Sequence, residues 1–210
     1  MCQIFINKRE FRAAKDFFRK AKACKPTTKQ VLDQVKEIEK YISRMPGSLH
    51  TLLPMLDIQK VTTEGPALES IKTLFKAYLL ELNEDLCFQS FDSEIDNPLY
   101  KYSAPTGALF MATYHATPVG CIALQPLPYA GTCEMKRLYV DPGYRNLKIG
   151  EALVNALLQE AMALNYTLMK LDTLERLQAA VKLYQKFGFE TVTAYYDNPL
   201  PIVVYMQKKL

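Results

Sequence analysis

Residues 140–162 read VDPGYRNLKIGEALVNALLQEAM. A β-rich run ends at Val140, Pro142-Gly143 turns the chain, and RNLKIG leads into an amphipathic helix. A helix entrance carries unpaired N–H groups and a partial positive charge. An Arg beside such an entrance suits an anion, most often a phosphate. The neighbouring segments decide which fold puts a strand, a tight turn and a helix in that order.

Three β-like runs lie just upstream: GALFMATYH (107–115), TPVGCIALQPL (117–127) and GTCEMKRLYV (131–140). The turn signals between them predict antiparallel neighbours. Before them, LDIQKV (56–61) is a short strand. GPALESIKTLFKAYLLELN (65–83) is a helix with Ile71, Leu74, Phe75, Tyr78, Leu79 and Leu82 at core spacing. The polar stretch 86–102 reads as a loop with a short helix.

Downstream, the helix over 145–165 lines one face with Leu153, Leu157 and Ala161, and Asn165 suits its C-terminal cap. TLMKLDT (167–173) is a buried strand, LERLQAAVKLYQKFGF (174–189) a helix ending at Gly188, and ETVTAYY and PIVVYMQKKL two final strands. The order β-α-β-β-β-α-β-α-β-β predicts an α/β (α+β) domain, with helices on a mostly antiparallel sheet.

The charge is uneven. Through Leu56 the chain carries a net +7, and the remainder a net −3. Residues 8–24 form a basic amphipathic helix pattern, Lys25-Pro26 breaks it, and Val31, Val35, Ile38 and Ile42 repeat at helical spacing until Met45-Pro46-Gly47. The expected organisation is a basic helical hairpin over 1–54 and a main domain over 55–210.

Composition excludes several classes. With 49% hydrophobic and 23% charged residues the 210-residue chain is not disordered, and a net charge of +4 argues against a dedicated nucleic-acid binder. No apolar run reaches the ~18 residues of a membrane span. The five cysteines are scattered without a CxxC, which points to reduced thiols and a cytoplasmic location. His50 and His115 stand apart from any cysteine motif, so no metal is expected.

The element order, RNLKIG at a helix start and AAVKLYQKFGF further on resemble the GCN5-related N-acetyltransferase (GNAT) family over about Met55 to Leu210. The family pattern at the first motif is Arg or Gln, two residues, Gly, one residue, then Gly or Ala. Arg145 and Gly150 match, while Lys148 stands where the family usually has its first Gly. The resemblance implies acetyl-CoA as cosubstrate, with its pyrophosphate on Arg145, Asn146, Leu147, Lys148, Ile149, Gly150 and Glu151. It implies a splayed, bulged strand whose Leu138, Tyr139 and Val140 meet the pantetheine arm. Tyr184 aligns with the tyrosine that serves the departing thiolate. The Asn that many members place seven residues earlier is Leu177 here, with Gln178 beside it.

An amine must be neutral to attack a thioester, so a base is needed. Glu134 occupies the register at which some members carry their glutamate base, with an ion pair to Lys136 or Arg137 as the plain alternative. Asp172 is the rival carboxylate, with capping of the next turn as its plain role. Strand alternation puts Glu134, Lys136, Leu138 and Val140 on one face unless a bulge intervenes. The acceptor site falls to 89–102 and 194–201, where Tyr195, Tyr196 and Asn198 suit an amino-acid-like molecule. Asp92, Glu94 and Asp96 could attract a cation, although a solvated acidic loop is the simpler reading.

The expected activity is transfer of an acetyl group to a primary amine of a small or amino-acid-like acceptor, with a homodimer plausible and no membrane or nucleic-acid partner. The alternatives are a non-catalytic acyl-CoA-binding regulatory module, a protein N-acetyltransferase, and a hairpin that docks the domain to an acidic partner or nucleic acid.

Overall fold

The computed structural model describes residues 56–84 and 91–210. The expected hairpin over 1–54 lies outside the described residues. Seven strands form one sheet: β1 (Leu56–Lys60), β2 (Ala108–Tyr114), β3 (Thr117–Pro126), β4 (Thr132–Val140), β5 (Leu168–Leu174), β6 (Glu190–Val192) and β7 (Val203–Lys209). Their order is β1-β2-β3-β4-β5-β7-β6. All adjacent pairs are antiparallel except β4 and β5. That parallel pair requires a crossover, and the 145–165 segment supplies it as a helix.

Among the described residues, five α-helices flank the sheet: α1 (Pro66–Leu82), α2 (Phe91–Asp96), α3 (Pro98–Tyr102), α4 (Ile149–Ala163) and α5 (Gln178–Lys186). One face of the sheet buries Ala108, Ile122, Cys133 and Met135 against Leu153, Val154 and Leu157 of α4, with Leu183 and Tyr184 of α5 joining them. The other face buries Leu109, Cys121 and Ala123 against Ile71, Leu74 and Phe75 of α1 and Phe91 and Tyr102 of α2 and α3. Leu157 has no exposed surface. Its truncation to Ala would destabilise the fold by about 2–5 kcal/mol.

Helix ends follow the sequence signals. Pro66 opens α1 at its first turn, where its missing N–H is harmless. Asn165 is left-handed, its N–H donates to the Met162 carbonyl, and that of Tyr166 donates to Ala161. This pair of bonds ties off α4, and Gly188 with Phe189 repeats it after α5 through the carbonyls of Gln185 and Tyr184. Expectations shift at several ends. Helix α4 starts at Ile149, not Arg145, because Asn146 and Lys148 are left-handed and form the turn before it. Helix α5 starts at Gln178 because Leu174 still belongs to β5, and ETVTAYY is strand only over Glu190–Val192. Beyond Val192 the chain leaves the sheet, and the rings of Tyr195 and Tyr196 pack on each other and on Tyr205 of β7. No helix among the described residues is long and apolar enough to cross a membrane.

Candidate active site

Strands β4 and β5 pair only at Thr132–Leu168, Cys133–Met169 and Glu134–Lys170, then part. The parting coincides with a bulge. Between Cys121 and Ala123 of β3, strand β4 advances from Tyr139 to Lys136, one residue too many. The extra residue is Arg137, held at φ 59 in the left-handed region. A non-glycine residue there is uncommon and needs fixed surroundings.

Glu94 provides them. Arg137 donates from Nε to Glu94 Oε1 at 2.5 Å and from a terminal nitrogen to Oε2 at 2.9 Å, and its guanidinium lies 4.2 Å from the centre of the Phe91 ring. The two side chains are 3% and 1% exposed. Burial alone would raise the Glu94 carboxyl, but the hydrogen bonds and charge of Arg137 outweigh it and hold the group below the ordinary range. Glu94 is therefore a structural counter-ion, which corrects its reading as part of a solvated acidic loop.

The bulge also reverses the alternation. Glu134 and Lys136 share the α1 side of the sheet with their β3 neighbours Gln125 and Ala123. Leu138 and Val140 pack on the α4 side. The four residues expected on one face without a bulge are thus divided between two. Tyr139 returns to the α1 side, where burial pushes its phenol up to about 12.

Two cavities meet at this point. The narrower, about 70 Å³, lies in the opening between β4 and β5, with Leu138, Leu177 and Tyr184 on its walls. Burial pushes the Tyr184 phenol well up, with the charges of Tyr78 and Asp172 adding to the shift, so it stays protonated across the neutral range. The wider cavity, about 380 Å³, is lined by Glu134, Gln125, Tyr129, Tyr195, Tyr196 and Lys101, among others. That volume suits a small molecule. Lys136 and Arg137 line both.

The side chains at the junction are tied into one network. Glu134 accepts from Gln125 Nε2 and from the Tyr195 hydroxyl, each at 2.7 Å. Lys136 Nζ donates to Asp172 Oδ1 at 3.0 Å and stands 3.9 Å from Glu134 Oε1. Asn198 donates to Asp172 Oδ2 at 3.1 Å and to the Tyr196 hydroxyl at 2.9 Å. Asp172 thus faces Lys136 across the splay instead of capping the next turn. The Glu134 carboxylate is engaged by Gln125 and Tyr195 more closely than by Lys136, and Arg137 turns away to Glu94.

The loop into α4 is backbone-built. Asn146 and Lys148 are both left-handed, at φ 67 and φ 59, and Lys148 is the residue before the helix. Left-handed residues in a turn bring successive N–H groups to one concave side, an arrangement that holds anions. Gly150 sits in the first turn, where an added Cβ would stand 3.4 Å from Leu183 Cδ2. Arg145 is not a free cation: its Nε donates to the Val140 carbonyl at 3.1 Å, and a terminal nitrogen pairs with Glu81 at 2.5 Å. Glu151 pairs with Lys186 of α5 at 2.7 Å. Leu147 and Ile149 turn their side chains to the core. Leu177 is the residue before α5, packed on the α1-side core, and Gln178 donates to the Glu175 carbonyl.

Sequence reasoning missed Gln125 and Tyr129, while Lys101 lies within the 89–102 stretch expected to line the acceptor site. Gln125 had a signal, as a polar residue in an otherwise apolar run directly opposite Glu134 in the hairpin. Tyr129 had none.

Relatives share this architecture. The sequence pattern of the Acetyltransferase (GNAT) family matches residues 68–189. An uncharacterized N-acetyltransferase of Schizosaccharomyces pombe is 46% identical over 144 residues, which span 68% of this chain and 88% of that protein. The N-acetylaspartate synthetase of Danio rerio is 36% identical over 101 residues, 48% of this chain and 36% of that protein. The crystal structure of an acetyltransferase from Streptococcus agalactiae superposes with a TM-score of 0.64 at 22% identity, covering 74% of this chain and 99% of that one, and so shares the fold. A bulged, splayed sheet, two cavities joined at the splay, and these matches lead to one conclusion: the chain belongs to the GNAT acetyltransferase family and is an N-acetyltransferase.

Proposed function

We propose that this enzyme transfers an acetyl group from acetyl-CoA to the primary amine of a small, amino-acid-like acceptor. The observation that carries the reading is the meeting of the two cavities at Lys136 and Arg137, with Tyr184 on one and Glu134 on the other. Acetyl-CoA supplies the activated thioester. The amides from Leu147 to Glu151 hold its pyrophosphate with the α4 dipole behind them. Asn146 shapes that turn, Arg145 fastens it to β4 and α1, and the Lys148 ammonium adds charge from outside. The strand edge from Leu138 through Tyr139 to Val140 takes the pantetheine arm, because β5 has left it unpaired.

The acceptor amine attacks directly. Glu134 takes its proton, directly or through water, held in place by Gln125 and Tyr195. Tyr184, kept neutral by burial, protonates the departing thiolate. The aromatic walls of Tyr129, Tyr195 and Tyr196 suit a small acceptor, and the likeness to N-acetylaspartate synthetase supports an amino-acid-like one. Cys121 and Cys133 are free, buried thiols, consistent with work in the reducing cytoplasm.

Calorimetric titration with acetyl-CoA, followed by an amine screen for released thiol, tests the reading. Saturable binding with turnover supports it. Binding without thiol release on any amine would leave a non-catalytic acyl-CoA-binding module.

A further inference from the structure

Lys136 is 9% exposed at its side chain, yet its ammonium makes a single hydrogen bond among the described residues, to Asp172. An ammonium has three donors, and leaving a buried charge partly unsatisfied is unfavourable. Two donors are therefore left at the junction of the two cavities. Glu134, on the same strand face, is 3.9 Å away, too far for a hydrogen bond and close enough to share one small ligand. Opposite charges set this far apart match the ammonium and carboxylate that an α-amino acid carries on one carbon.

We infer that Lys136 reads the α-carboxylate of a free amino-acid acceptor, while Glu134 receives its amine. The inference rests on the acyltransfer reading above and specifies which acceptors that site takes. Asp172 has a role in it. Bonded on its other oxygen by Asn198, it fixes the Lys136 chain so that the remaining donors face the acceptor cavity. Arg137 cannot substitute, because Glu94 engages its guanidinium in two bonds. An acceptor lacking the carboxylate leaves the Lys136 donors unpaired, and a site built this way rejects such analogues.

The test uses the full chain, saturating acetyl-CoA and thiol detection. A panel of L-amino acids is compared with the matching α-decarboxylated amines and with the amino-acid amides. The wild type is expected to favour the amino acids, mainly through KM. Lys136→Met should lower the ratio of kcat/KM for amino acid over amine by about 10- to 100-fold, the range of a charged hydrogen bond, and Lys136→Arg should restore part of it. A wild type that accepts amines and amides as readily as amino acids would overturn the inference, and that arm does not depend on how the variants fold. An unchanged ratio in Lys136→Met would overturn it too. Absence of acetyl-CoA binding, or of thiol release with every amine, is the separate result that removes the acyltransfer reading.

Discussion

The two ends of the cleft are made of different material. At the α4 end the groups proposed to meet acetyl-CoA are backbone amides, in a turn whose Asn146 and Lys148 are left-handed. At the junction they are side chains, Glu134, Lys136, Asp172 and Tyr195, each bonded to another. A backbone site tolerates a change of residue as long as φ and ψ survive, which is how Lys occupies a position suited to Gly. A side-chain site has no such freedom, because each group is fixed by particular partners, Glu134 by Gln125 and Tyr195 and Asp172 by Lys136 and Asn198. Substitutions should therefore be severe at the junction and mild at the loop.

The severest should be Glu134→Gln. The amide keeps the shape and can still meet Tyr195, but it cannot take a proton. We expect kcat to fall about 100- to 10,000-fold, with acetyl-CoA affinity nearly unchanged by calorimetry. A fall below tenfold would show that water or Asp172 supplies the base.

Next comes the support beneath the junction. Glu94→Ala would leave Arg137 charged, buried and unpaired, at about 3–5 kcal/mol of stability in denaturant unfolding. The pH dependence follows from the same pair. The Glu94 carboxyl is lower in the fold than in the unfolded chain, so its contribution is fully present above the unfolded value and disappears as pH falls through the folded one. Acid unfolding of the wild type should show this loss and Glu94→Ala should not. Matching acid profiles would mean that the pair is not what holds the bulge.

Tyr184→Phe should lower kcat by about 100-fold while leaving acetyl-CoA affinity unchanged. Since burial raises the phenol, the wild-type rate should show no alkaline decline from Tyr184 up to its ordinary value near 10. Unchanged turnover in the variant would reduce Tyr184 to a packing partner of Phe189, whose ring lies 5.9 Å away.

The sequence made the backbone end easier to read than the side-chain end. Periodicity and caps located β1 to β5, α1 and α4, and the spacing of RNLKIG placed the loop, because these signals are local. The bulge was expected on the strength of family likeness, but its residue was not. No local rule marks Arg137 as left-handed, since the cause is Glu94, 43 positions away in sequence. The same holds for Asp172, whose partner Lys136 lies 36 positions away on the neighbouring strand. It also holds for residues 193–196, which read as the end of the ETVTAYY strand. The rings of Tyr195 and Tyr196 instead pack on one another and on Tyr205, with ring centres 5.2–5.6 Å apart.

The mildest substitution is the sharpest test of the comparison. Lys148 is exposed, makes no side-chain cap to α4 and sits at φ 59, ψ 16. A left-handed conformation disfavours a residue with a Cβ by about 1–2 kcal/mol, while Gly takes it freely. Gly also makes the unfolded chain more flexible, which offsets part of the gain. Lys148→Gly should thus stabilise the domain by up to about 1 kcal/mol and leave acetyl-CoA affinity within a few-fold, because the amides stay in place and one exposed, screened charge is lost. Chemical denaturation and calorimetry read the two effects separately. A large loss of affinity in a domain that remains folded would mean that the ammonium, and not the backbone, holds the anion, and the contrast between the two ends of the cleft would fail at this residue.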